Sequence, residues 1–277
     1  MMLHEGLHGV YYDMPDTEYR RISALNASGL TAICDHGLWH YYQCYLNPER
    51  EFTTSDSLAF GTLLHCAVLE PERFAREYHV VSPGVRARTK AWAKECNGKI
   101  GVRASDYHAV QTCIQRINEH NIARGLLFGD KGKSEVTLLW SEQHDNDTIQ
   151  CKARLDRLLP GWIVDLKTCS DARPDKFAQD CGDYWYDLKA AWYIRAYLQH
   201  FPANDCGIVG YALVAIESKW PYTVQVYTYE MEGLVDAFRR MELGVEDYLR
   251  GIRQGWHREF DVISVPPPRY KKRKAID

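Results

Sequence analysis

The chain has 277 residues, 45% of them hydrophobic and 26% charged, with a formal net charge of −3. That length can bury a substantial core, and the balance of charge does not announce a nucleic-acid binder. No apolar run approaches the roughly 18 residues of a membrane span, and the opening MMLHEGLHGVYYDMPD lacks the basic-then-apolar order of a secretory signal, so a cytoplasmic protein is expected.

In chain order, SGLTAICDHGLWHYYQCYL predicts a helix beginning near Ser28, where serine can cap. SDSLAFGTLLHCAVLEPERF predicts a second helix, capped around Ser55 to Ser57 and stopped by Pro71. RARTKAWAK (86–94) reads as a basic loop or short helix. ASDYHAVQTCIQRINEHNIARGLL is amphipathic, with Ser105 as cap and Gly125 as stop. The period then changes. SEVTLLW (134–140), TIQCKARLDRLL (148–159) and WIVDLKT (162–168) are β-rich and separated by Asp-Asn-Asp and Pro-Gly turn signals. Helices return at ARPDKFAQDCG and DYWYDLKAAWYIRAYLQHF, strands at CGIVGYALVAIE and YTVQVYTYE, and a last helix runs from about Glu232 to Gln254. This order predicts one mixed α/β domain over 1–277: a helical part to about 125, sheet and helices over 126–256, and a basic tail over 257–277. The nine cysteines are scattered singly, with no C-x-x-C, so reduced thiols filling the core are expected rather than a metal cluster.

RLDRLLPGWIVDLKTCS carries the chemistry. If Pro160-Gly161 is the turn of a hairpin, Asp156 faces Asp165 with Cβ atoms about 5 Å apart, in a register fixed to within one residue because Pro-Gly favours a type II turn over the usual hairpin turns. Alternation puts Asp165 and Lys167 on one face, and Val164 and Leu166 on the other. Opposed carboxylates in a sheet repel, and a divalent cation would compensate them. Hard ions such as Mg²⁺ take carboxylate and backbone oxygens and keep waters that can become nucleophiles. Lys167 would orient the attacking water or stabilise charge building on a phosphate. The competing reading is a surface salt-bridge ladder, which flanking Ile163, Val164 and Leu166 argue against.

His65, on the apolar face of the second predicted helix, is either a third ligand or a core histidine. Glu70 reads as helix-end surface, and Glu135 opens the strand before the hairpin. Arg86, Arg88, Lys90 and Lys94, and the tail PRYKKRKAID, are either phosphate contacts or solvated surface.

Together FGTLLHCAVLEPERF, KARLDRLLPGWIVDLKTCSDARPDKFAQDCGDYWYDLKAAWYIRAYL, GVYYDMPDTEYRRISALNASGLTAI and PPPRY resemble the exonuclease domain of exodeoxyribonuclease VIII (RecE) and its phage-encoded relatives. That group lies in the PD-(D/E)XK nuclease superfamily, with lambda exonuclease. The resemblance implies a restriction-endonuclease-like core, a central mixed sheet flanked by helices. It implies a metal-dependent enzyme that digests one strand of linear double-stranded DNA from the 5′ end, leaving a 3′ overhang for recombination by strand annealing. By motif position His65, Asp156, Asp165 and the Leu166 carbonyl would bind metal, and Lys167 would be the catalytic lysine. Two Mg²⁺ per site are expected, with Mn²⁺ able to substitute. Relatives form rings, so a homo-oligomer (trimer or tetramer) working beside a single-strand annealing protein is expected, with no membrane partner. Ser28 is read as a 5′-phosphate contact at a helix N-terminus, and Tyr193 as a DNA contact. Two positions depart from the pattern: Leu155 precedes the first aspartate where the superfamily has proline, and Lys189 stands where relatives often carry glutamine. Lys189 and Tyr193, four apart, would share a helix face at the site, with Lys189 counted among its catalytic residues. Alternatives of other kinds are an endonuclease of the same fold and a non-catalytic DNA-binding relative.

Overall fold

The computed structural model describes residues 8–50, 56–201 and 210–256. Its main sheet has six strands in the order β1 (Gly9–Tyr11), β4 (Lys133–His144), β5 (Asp147–Leu159), β6 (Trp162–Cys169), β7 (Gly210–Glu217) and β8 (Val224–Thr228). Neighbours are antiparallel except β6 and β7, which run parallel. β2 (Tyr78–Val81) and β3 (Ile100–Arg103) pair in a separate parallel ribbon. The mixed α/β class and the central mixed sheet are as expected.

Helices cover both faces. On one side α2 (Ala27–Tyr41), α9 (Tyr186–His200) and α10 (Met231–Gln254) pack Leu30, Leu188, Trp192 and Met241 against Ile163, Leu213 and Ala215. On the other, α3 (Asp56–Leu69), α6 (Ala104–Glu119) and α7 (Asn121–Phe128) pack Leu64, Val110, Ile117 and Leu127 against Val164, Leu166 and Val214. Alternation along β6 thus feeds two cores, and each large side chain fully buried there contributes roughly 1.5–3 kcal/mol. β6 and β7 are covered on both faces and read as near-continuous apolar runs, which makes Asp165 conspicuous.

Several boundaries differ from the sequence reading. Asn26, not Ser28, caps α2: its side chain accepts the Gly29 N–H at 2.7 Å. The reason lies one residue earlier, where Leu25 bonds the backbone of Gln150 and Lys152 as an extended residue and releases the chain into the helix at once. Gly125 does not stop a helix but sits inside α7, and Ser105 lies within α6 after an Arg103 that makes no side-chain cap. The break comes instead at His120, which leaves helical geometry (ψ 101°) and caps the next helix through its side chain. Pro71 ends α3 and also opens α4 (Pro71–Glu77), where its missing N–H costs nothing. In the basic segment, Thr89 caps α5 (Lys90–Cys96). Strands β1, β2 and β3 span three or four residues each, too few for alternation to reveal. The Ser55 part of the second helix cap and the tail 257–277 lie outside the described residues. The eight cysteines within them are free thiols. Among the described residues no helix is long and apolar enough to cross a membrane.

Candidate active site

Gly161 takes φ 76°, the left-handed value the second position of a Pro-Gly turn requires. The two-residue turn sets the register Leu159↔Trp162, Leu158↔Ile163, Arg157↔Val164. Asp156 and Asp165 come next, in the register the sequence implied. There the ladder ends. Asp156 Oδ2 accepts the Leu166 N–H at 2.8 Å, so a carboxylate takes the place of a strand carbonyl. The pairing of β4 with β5 is interrupted at the same level, skipping Glu135 and Asp156, and Glu135 holds φ 53°. Leu155 packs in the α9 layer, whereas Arg157 crosses to the opposite layer and donates to the Leu126 and Gly129 carbonyls. A regular strand would put both on one face. This local break aims Asp156 at α3, where His65 Nδ1 lies 3.6 Å from Asp156 Oδ2.

Asp165 is 2% exposed, yet both its oxygens have partners. Oδ1 accepts from Lys167 Nζ at 2.5 Å and Oδ2 from Tyr211 Oη at 2.9 Å. The two aspartates divide the work. Burial and the Asp165 charge push Asp156 well above the ordinary carboxylate range. Burial also opposes charge on Asp165, but Lys167 and hydrogen bonds from Asp156, Lys167 and Tyr211 outweigh it and hold its pKa below the ordinary value. Within the pair, a proton is therefore favoured on Asp156 and the charge on Asp165. Burial, with Lys167, lowers His65 to about 4, so its imidazole is neutral at pH 7.

A cleft of about 620 Å³ lies beside these groups, lined by His65, Glu70, Glu135, Lys167, Tyr184 and Tyr186 among others, while Asp156 and Asp165 are not part of its lining. Glu70, read from sequence as helix-end surface, thus faces the cleft, held by Arg73 at 2.7 Å. Burial and Glu70 push Glu135 up to about 7, against the pull of Arg154. Lys189 is brought to the site: burial and Lys167 lower it to about 8, while Asp165 pulls the other way. The Nζ atoms of Lys189 and Lys167 lie 5.2 and 5.4 Å from the centroid of one ring, Tyr186.

Tyr193 is half-buried and does not line the cleft: its ring stacks on Tyr211 at 6.4 Å, and burial with Asp165 raises its pKa. Ser28, Arg86, Arg88, Lys90 and Lys94 are exposed, and none lines the cleft. Sequence reasoning missed Tyr211 and Tyr186. Tyr211 sits two residues before Leu213, the parallel neighbour of Asp165, and so shares its face. Only knowledge of that parallel pairing would have found it.

The donors suit a hard divalent ion in type: two carboxylates, a carbonyl and a neutral imidazole. The buried pair is itself the observation that fits, because a shared proton and the Lys167 ammonium supply the neutralisation a dication would bring. As they stand, no three His, Cys, Asp or Glu side chains among the described residues are close enough to hold an ion.

A family described as a PDDEXK-like domain of unknown function (DUF3799) matches residues 40–257. No curated protein sequence matches the chain. Among solved structures, a candidate exonuclease from Eubacterium rectale superposes with a TM-score of 0.61 at 15% identity, over 88% of each chain. A phage-related exonuclease from Haemophilus somnus 129PT gives 0.35 at 13% identity, over 83% of this chain and 96% of that one.

Proposed function

The chain belongs to the PDDEXK-like family, and from that premise we propose that it digests one strand of linear double-stranded DNA from the 5′ end, leaving a 3′ overhang. The observation that carries this reading is the break in the hairpin, which brings Asp156, Asp165 and Lys167 together beside His65, with His65 and Lys167 lining the cleft. Clustered carboxylates repel a phosphate, so a site for binding alone has no use for them.

His65, Asp156, Asp165 and the Leu166 carbonyl would hold Mg²⁺, or Mn²⁺ in its place. When bound, one or two such ions acidify water and offset charge on the phosphate and leaving oxygen. The protein's own part follows from the geometry. With an ion bound, Asp156 would ligate as the carboxylate, any proton it holds passing to solvent, and Lys167 would exchange its Asp165 contact for the attacking water or the charge growing on the phosphate. Tyr211 stays on Asp165 Oδ2 and keeps that carboxylate oriented. The neutral His65 ring offers a lone pair without first losing a proton. Lys189 adds positive charge beside Lys167. Arg86, Arg88, Lys90 and Lys94 track the duplex, and Ser28 meets the 5′-phosphate from the first turn of α2. The sequence resemblance supports a cytoplasmic ring of three or four copies that hands its overhang to a single-strand annealing protein.

The test is digestion of end-labelled linear duplex and closed circular duplex, with Mg²⁺ and with chelator. Release of nucleotides from the 5′ ends of linear DNA, only with Mg²⁺, is expected. Equal cutting of the circle would make the protein an endonuclease, and metal-independent cleavage would dismiss the carboxylate site.

A further inference from the structure

We infer that the turn joining β7 to β8 is a stacking platform for a nucleobase of the DNA strand entering the cleft, with Trp220 as its face. This rests on the nuclease reading for its ligand. Large aromatics are usually drawn into a core, but Trp220 is 73% exposed. The turn beneath it is tied down on both sides. Tyr222 N–H donates to the Lys219 carbonyl at 2.8 Å, and Ser218 N–H to Cys169 at 2.9 Å. Glu217 accepts the N–H groups of Ala172 and Thr223, each at 3.2 Å, clamping the legs of the turn to the end of β6. The ring is held as well: Tyr222 meets it edge-on at 6.3 Å, and the Arg116 guanidinium lies 5.9 Å from its centroid.

Its position ties it to the chemistry. Ser218 lines the same cleft as Lys167, because both stand at the C-terminal end of the parallel pair β6 and β7. Two residues on, the Trp220 Cα is no more than about 8 Å from that of Ser218. That is about the rise of two stacked bases along a duplex axis. Aromatic faces take any base, and a flanking cation adds phosphate attraction. Lys219, the residue before Trp220, is exposed, and Arg116 contributes charge although it also pairs with Glu119 at 2.8 Å. A protein partner would be served by an apolar patch. Here the exposed ring is flanked by cations, which favours nucleic acid.

The experiment measures binding of the full chain to a short duplex in chelator, so that no turnover is needed. It compares wild type, Trp220→Ala and Trp220→Phe on normal duplex and on duplex whose 5′-terminal nucleotides are abasic. Trp220→Ala should weaken binding to normal duplex by about tenfold, and Trp220→Phe by much less. On abasic DNA the alanine loss should vanish, since the base it stacks on is gone. Unchanged affinity of Trp220→Ala, or the same loss on abasic DNA, overturns the inference. So does a shift in oligomeric state on sedimentation, which would make the ring a protein contact. Wild type that shows this stacking pattern but no Mg²⁺-dependent hydrolysis would leave the platform standing and remove the nuclease reading.

Discussion

Asp-Leu-Lys occurs twice in this chain, at 165–167 in β6 and at 187–189 in α9, and the copies behave differently. In the strand, residues two apart share a face, so Asp165 and Lys167 meet at 2.5 Å. In the helix, two residues advance about 200°, so the same pair separates. Asp187 reaches Arg240 of α10, while Lys189 turns toward the ring of Tyr186. Leu166 and Leu188 are both fully buried, in opposite layers. Backbone period decides whether this tripeptide is an ion pair or two independent charges. Both lysines nonetheless finish beside Tyr186, so the helical copy delivers a second ammonium to the site built by the first.

The largest effects should come from the strand copy and its partner. Asp165→Asn and Asp156→Asn should each cut Mg²⁺-dependent hydrolysis by at least ~100-fold. They should part in stability. A proton is favoured on Asp156, and an amide can keep both its donor role and the bond from Leu166, so metal-free Asp156→Asn should melt within ~2 °C of wild type. Asp165 carries the charge facing Lys167, and its loss leaves a buried ammonium uncompensated. Metal-free Asp165→Asn should melt several degrees lower, by about 3 °C for each kcal/mol lost. Equal melting of the two variants would show that the proton does not sit on Asp156.

His65→Ala should lower activity about 10- to 100-fold at limiting Mg²⁺, with partial recovery at higher Mg²⁺ or in Mn²⁺. Melting of the metal-free protein should change by less than ~3 °C. The reverse pattern, a large fall in melting temperature with activity per folded molecule kept, would make it a core histidine.

How much of this could be read beforehand depends on whether the cause was local. The Pro160-Gly161 turn and the alternation in 162–168 are local, and they pointed to the carboxylate register to within one residue. The break at Glu135 and Asp156 is not: a glutamate at φ 53° has no glycine to announce it. Tyr211 reaches Asp165 across a parallel pairing whose strands lie some forty residues apart in sequence, beyond any local pattern. The same holds for the helix break at His120, where neither Gly nor Pro marks the stop. Lys189 fell between these cases. Its helical face was legible, but what that face packs against was not.

Outside the cleft, replacing Arg86, Arg88, Lys90 or Lys94 by alanine tests charge that acts at a distance from the carboxylates. Each contact removed should flatten the slope of log affinity against log salt by about 1, without changing the Mg²⁺ requirement. Unchanged slopes for all four would make this segment solvated surface.

The smallest effect, and the one that bears most directly on the two tripeptides, belongs to Lys189. Burial and Lys167 lower its pKa to about 8 in the folded protein, below the 10.5 of a free lysine. Its charge is therefore a cost to folding below about pH 8, and the cost is relieved as the pH rises toward 10.5. Lys189→Gln removes that cost, so relative to wild type it should melt higher at pH 7, by ~2 °C, with the gap closing by pH 10. Lys152, also lowered to about 8, is common to both proteins and cancels in the difference. The same logic governs the cation. An ammonium near Asp165 opposes loading of a dication, so Lys189→Gln should keep activity and reach half-maximal rate at a few-fold lower Mg²⁺. Lys189→Glu sets a carboxylate beside Asp165 and should cripple the enzyme. If all three proteins share one Mg²⁺ titration curve, the helical copy of Asp-Leu-Lys has no electrostatic link to the copy in the strand.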